Sequence, residues 1–174
     1  MILGDDEFIN KDFLIQFDII DNNGFFYYGV FNLIIQEKIY PAYGTNWTLN
    51  LISEYMSGLL KFNDSDFYYS LCDDLSADFL FKEAVTSRLG YFYDNPEDIY
   101  SHEQMKKKYP NIIGVELELS ELNDTGLEIY LFKGKISDYI VFSYDNRVYK
   151  YKTDINSIKR LIKKLYDIIN IKAN

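Results

Sequence analysis

The chain opens on a period of two. Between Phe13 and Ile20 the apolar residues Phe13, Ile15, Phe17 and Ile19 alternate with positions that include Gln16 and Asp18, the pattern of a strand with one buried face. Asp21-Asn22-Asn23-Gly24 follows. Asn and Gly tolerate positive φ, so this segment predicts a turn, and a second strand over Phe25–Ile35 completes a hairpin. Gln36-Glu37-Lys38 turns the chain into a short third strand, Ile39–Tyr43, closed by Pro41 and Gly44.

The period then changes. Ile52, Tyr55, Met56, Leu59 and Leu60 recur at three- and four-residue steps, which predicts a helix running to about Lys61, with the Thr48 hydroxyl as its N-cap acceptor. Ser76 predicts a cap for a helix over Ala77–Leu89 that Gly90 ends. Ser101 with Gln104 three residues on fits a capping box for a short helix stopped by Pro110. Alternation returns over Ile112–Leu119, and Leu127–Lys133, Tyr139–Tyr144 and Val148–Lys152 continue as a meander with turns at Lys133-Gly134-Lys135 and Asp145-Asn146-Arg147. Ile155, Ile158, Ile162, Leu165 and Ile169 then mark the clearest stripe in the chain, widened by Leu161 and Ile168, with Lys159, Arg160, Lys163 and Lys164 mostly off it. Segregated runs of strands and helices predict an α+β class. The expectation is a single domain, 1–174, with a mostly antiparallel sheet of about six or seven strands. Helices are inserted after the third strand, and a C-terminal amphipathic helix packs on the sheet.

Length agrees with that picture. At 174 residues the chain is long enough to bury about 70% of its unfolded surface without disulfides or metals. With 17 Tyr and 13 Phe it lacks the composition of a disordered chain. The acidic N-terminus, Met1 to Glu7, is unlike a signal peptide, and no apolar run approaches the ~18 residues of a membrane span. The expectation is therefore a cytoplasmic protein with no membrane partner.

Charge changes the picture more. The formal net charge is −9, but Met1–Asn146 holds 25 acidic against 10 basic side chains, a balance of −15, while Arg147–Asn174 carries +6. The acids are densest in Phe62–Asp98, where nine of them face only Lys82 and Arg88. Aromatics run through and just past that block: Phe67, Tyr68, Tyr69, Phe79, Phe81, Tyr91, Phe92, Tyr93 and Tyr100. An acidic chain repels a phosphate backbone, so nucleic acid is a poor direct partner and a basic protein a better one. A solvated surface over an aromatic core fits this block, and so does a protein-binding face, in which tyrosines supply contact area and carboxylates orient a basic partner. Composition leaves both open. If the block is an interface, Asp73, Asp74, Asp94, Glu97 and Asp98 supply its charge and Tyr68, Tyr69, Tyr91 and Tyr93 its anchors. Trp47, at a helix entry among apolar neighbours, reads as core.

Catalytic and cofactor patterns are lacking. His102 is the only histidine and lies among Glu103 and lysines. Cys72, the only cysteine, is followed by Asp73 and Asp74, carboxylates that raise a thiol's pKa and disfavour the thiolate. Adjacent acids such as Asp5-Asp6 and Glu97-Asp98 arise by chance in a chain with 27 of them. Asp21-Asn22-Asn23-Gly24 lacks the spaced ligands and closing Glu of a calcium loop. The glycines form no phosphate or dinucleotide fingerprint. No catalytic, metal or cofactor residues are expected.

A family resemblance emerges from several segments together. Gly4-Asp5, the strand Phe13–Ile20, Gly24-Phe25-Phe26-Tyr27-Tyr28-Gly29 and Asn46-Trp47-Thr48-Leu49 resemble the start of a bacterial immunity protein of the Imm forty-two type. Gly114-Val115-Glu116-Leu117, Ser120-Glu121-Leu122-Asn123-Asp124-Thr125-Gly126 and the strand Leu127–Lys133 are similar to the same family. The likeness spans most of the chain and is weakest over Phe62–Lys108. It implies a cytoplasmic antidote from a polymorphic toxin system that binds a cognate toxin domain, usually one-to-one, and blocks its active site or substrate surface. It implies no catalytic residues. Two other readings remain: another acidic binding module, such as a nucleic-acid mimic or an adaptor of a basic enzyme, and a small carboxylate-dependent hydrolase. Monomer and dimer are both open.

Overall fold

A computed structural model describes residues 1–4, 12–42, 44, 46–91 and 101–171. Its first sheet is built as the alternation predicts. Strand β2 (Phe13–Asn22) pairs antiparallel with β3 (Tyr27–Ile35), and β1 (Ile2–Leu3) adds to its outer edge. Strand β4 (Lys38–Tyr40) and the two-residue β5 (Trp47–Thr48) both pair with β3. The third strand is thus shorter than the expected Ile39–Tyr43, because Ala42 sits at φ 61° and breaks the extended run; Tyr43 lies outside the described residues. Phe13, Ile15 and Phe17 of β2 and Phe31, Leu33 and Ile35 of β3 send one face into the core.

The helical middle follows the capping signals. Helix α1 (Leu49–Ser57) continues as a 310 turn over Gly58–Lys61, and the single turn α2 (Asp64–Phe67) follows. Helix α3 (Ala77–Leu89) begins at Ser76, whose hydroxyl accepts from the Phe79 amide at 3.3 Å, and ends on Gly90 at φ 78°. Helix α4 (His102–Lys108) carries the expected capping box between Ser101 and Gln104. At α1 the expectation fails in detail. Thr48 occupies the N-cap position, but its hydroxyl donates to Glu121 Oε1 at 2.8 Å while its amide donates to Glu121 Oε2 at 3.0 Å. A carboxylate 73 residues away outcompetes the local cap.

A second antiparallel sheet is the meander β6 (Val115–Glu116), β7 (Glu128–Lys133), β8 (Asp138–Tyr144) and β9 (Arg147–Thr153). The expected strand Ile112–Leu119 shrinks to β6 because Gly114 at φ 67° and Ser120 at φ 54° bend the chain on either side. Among the described residues the strands thus divide between two sheets, with the class α+β as expected. Helix α5 (Ile155–Ile171) buries Ile158, Leu161, Ile162, Leu165 and Ile169 in the main core, packed chiefly on α1 and reaching β1 and β2 of the first sheet, each worth about 1.5–3 kcal/mol of apolar burial. The second sheet is covered on both faces. Ile129, Leu131, Ile140 and Phe142 join the main core, whereas Tyr130, Phe132, Tyr139 and Val141 pack on Leu80, Phe81, Ala84 and Val85 of α3. That two-sided burial explains the unbroken apolar run Tyr139–Phe142.

Candidate protein-binding site

The acidic block divides into residues used by the fold and residues left at the surface. Asp73 belongs to the first group. Its carboxylate accepts from the amides of Lys135 (2.8 Å), Ile136 (3.3 Å) and Ser137 (3.3 Å) and from the Tyr139 hydroxyl (3.1 Å), clamping the turn between β7 and β8. Burial works to raise its pKa, but these donors together outweigh it and hold the carboxyl below its ordinary value. Gly134 stands so close that an added Cβ would lie 2.6 Å from Asp73 Oδ1. Tyr69 is half-buried against the α3 core, and its amide donates to the Lys133 carbonyl at 2.9 Å.

Basic residues of the later chain hold the same stretch. Lys150 donates to the carbonyls of Cys72 and Leu75 at 2.6 and 2.8 Å and lies 4.3 Å from the Tyr139 ring centroid. Lys159 donates to the Phe62 carbonyl at 2.6 Å and covers the Phe67 ring. Lys133 pairs with Asp64. Two cations of the positive C-terminal segment, Lys150 and Lys159, are therefore engaged inside the fold by the backbone of the acidic stretch. Cys72 is fully buried, and burial first, then Asp73, pushes its thiol up to about 11, which keeps it protonated at neutral pH.

Tyr68, Asp74 and Tyr91 remain exposed, whereas Tyr93, Asp94, Glu97 and Asp98 lie outside the described residues. Tyr68 lines an open groove of about 790 Å³. Tyr55, Phe62 and Asp66 line it from the same stretch of chain, and Ile112, Glu116 and Glu118 from a later one. Arg88 lines it as well. It donates to the carbonyls of Ala84, Ile113 and Gly114 at 2.8, 2.9 and 2.6 Å, sits 3.6 Å from Glu116 and stacks 4.8 Å from the Tyr130 centroid. Burial lowers the Arg88 pKa, and Tyr130 and Glu116 oppose that shift. The Glu116 carboxyl is pushed up by its own burial, against the Arg88 charge. Gly114 is required here, since its φ is 67° and an added Cβ would meet the Phe132 ring at 2.7 Å.

This arrangement suits contact rather than chemistry. Aromatic and aliphatic side chains stand beside carboxylates, and the buried cation is committed to backbone carbonyls. Among the described residues no three His, Cys, Asp or Glu side chains are placed to hold a metal ion. None of the described helices is long and apolar enough to cross a membrane. Trp47 is half-buried against the main core, as expected, with its indole Nε1 buried and lacking a partner among the described residues. The groove itself escaped sequence reasoning. Its lining brings together Tyr55, Phe62 and Ile112, 57 positions apart at the extremes, a separation that no local periodicity spans.

Comparison with known proteins adds three findings. The family model of immunity protein 42 matches residues 1–168. An uncharacterised protein of Pasteurella multocida (strain Pm70) is 43% identical over 141 residues, covering 81% of this chain and 84% of that one. The crystal structure of CdiI from Burkholderia dolosa AUO158 superposes with a TM-score of 0.68 over 95% of this chain and 97% of that chain, at 13% identity, and so shares the fold.

Proposed function

The chain belongs to the immunity protein 42 family, and from that premise we propose that it binds a cognate bacterial toxin domain and neutralises it by stoichiometric, non-catalytic blocking. The observation that carries this reading is the family match, which runs over residues 1–168 and so includes both sheets and almost all of α5. Charge supports a basic partner: the −15 balance ahead of Arg147 would draw in a toxin surface built for phosphate and speed their association at low salt. We place the contact on the acidic, aromatic side. Tyr68, Asp74 and Tyr91 present it, Asp73 and Tyr69 support it from beneath, and Tyr93, Asp94, Glu97 and Asp98 extend it along the chain. The cytoplasm is the compartment in which such an antidote would act.

Co-expression with the protein encoded immediately upstream is the direct test. Rescue of growth together with co-purification at a fixed ratio is the expected result. A chain that neither rescues growth nor retains that protein overturns the reading. Complex formation that ignores ionic strength removes its electrostatic part.

A further inference from the structure

The tip of the β2–β3 hairpin gathers apolar surface outside both core clusters of the described residues. Phe25 is 84% exposed, Ile20 66% and Phe26 40%. Ile20 falls on the outer face by the alternation that sends Phe13, Ile15 and Phe17 inward, and it stands where the register shifts between Ile19 and Asp21. Three exposed large apolar side chains thus fall within seven residues, and clustered exposed apolar residues mark contact sites.

The tip is also built to hold one shape. Asn23 Oδ1 accepts from the amides of Phe25 and Phe26 at 3.1 and 2.9 Å, and Asn22 Oδ1 accepts from Gly24 at 3.3 Å. The Asn23 side-chain amide donates to the Tyr28 hydroxyl at 3.2 Å. At the base, the Tyr27 amide donates to Asn50 Oδ1 of α1, and Tyr27 packs on the main core. With its backbone already braced, such a turn has less freedom to lose when it docks.

Charge singles out the occupant. From Asp12 to Glu37 the chain carries four carboxylates and no cation, and Asp18 and Asp21 are exposed beside the tip. A second copy is the weaker fit: the chain carries −9, and the cationic end of the β7–β8 hairpin has Lys133 paired with Asp64 and shares its hollow with Asp138 and Asp154.

We propose that this tip is an anchor of the interface with the toxin: Phe25, flanked by Ile20 and Phe26, enters an apolar cleft whose basic rim meets Asp18 and Asp21. This deepens, and rests on, the neutralisation reading above. Helix α1 connects the tip with the groove: Asn50 accepts from the base of the tip, and Tyr55, five residues on and about 7.5 Å along the axis, lines the groove.

The test uses the full chain and the toxin protein that it captures from the upstream gene. Phe25→Asp is expected to weaken binding by about 100-fold or more and Phe25→Ala by about 30-fold, with unchanged circular dichroism and melting. Asp18→Lys should slow association and flatten its salt dependence. Binding of the Phe25→Asp variant within about threefold of the unmodified chain overturns the placement while leaving neutralisation intact. So does a sedimentation result in which Phe25→Asp splits a dimer without changing toxin affinity, because the occupant is then a second copy. An unmodified chain that captures nothing overturns the neutralisation reading itself, before any variant is made.

Discussion

The β7–β8 and β2–β3 hairpins end in opposite ways. The β7–β8 turn is gripped from outside: Asp73, more than 60 residues earlier, takes three of its amides and the Tyr139 hydroxyl. The β2–β3 turn is held from within by Asn22 and Asn23. Both tips display an apolar side chain, Ile136 at 82% and Phe25 at 84% exposure, so exposure alone does not separate them. The source of the bracing does. A turn secured by a distant carboxylate is scaffold, and moving it moves the segment that holds it. A turn secured by its own residues leaves the surrounding surface open to a partner.

Substitutions can break that contrast, beginning with the largest effect. Phe132→Ala in β7 removes a fully buried ring packed against α3 and Gly114 and should cost about 3–5 kcal/mol by urea unfolding. Gly114→Ala forces a positive-φ residue with a Cβ into the same ring and should cost about 1–3 kcal/mol, read in the same assay. Asp73→Asn should lower the melting temperature by several degrees at neutral pH, because an amide oxygen replaces only part of a carboxylate's acceptor capacity. The pH dependence has a definite sign. The folded carboxyl lies below its ordinary value of 3.8, so its contribution is present above pH 3.8 and is lost as pH falls through the lower folded value. The variant should therefore show a flatter decline in melting temperature on acidification than the unmodified chain. Phe25→Ala closes the series. It should change unfolding free energy by no more than about 0.5 kcal/mol, and a larger loss would show that the tip belongs to the scaffold after all.

What was legible in the sequence was local. Ser76 and Gly90 bound α3 because a cap hydroxyl and a left-handed glycine act within a few residues, and the capping box at Ser101 is equally self-contained. The stripe of α5 follows from its own spacing. The features that escaped depend on partners far along the chain. Thr48 yields its hydroxyl to Glu121, and Asp73, which reads as a surface charge beside Asp74, holds a turn that starts at Gly134. Strands of two residues, β1 and β5, leave no period to detect. The acidic block was visible as composition. Which of its members face solvent depended on where Lys133, Lys150 and Lys159 arrive, and no spacing rule carries that information.

Those three lysines also impose an order in time. Lys150 and Lys159 hold the carbonyls of Phe62, Cys72 and Leu75, which a ribosome makes 75 or more residues earlier, and Lys133 follows its partner Asp64 by 69 residues. The Asn22 and Asn23 bonds need nothing beyond Tyr28. At roughly 5–20 residues per second, the hairpin tip can take its shape several seconds before the acidic segment can be fastened in place.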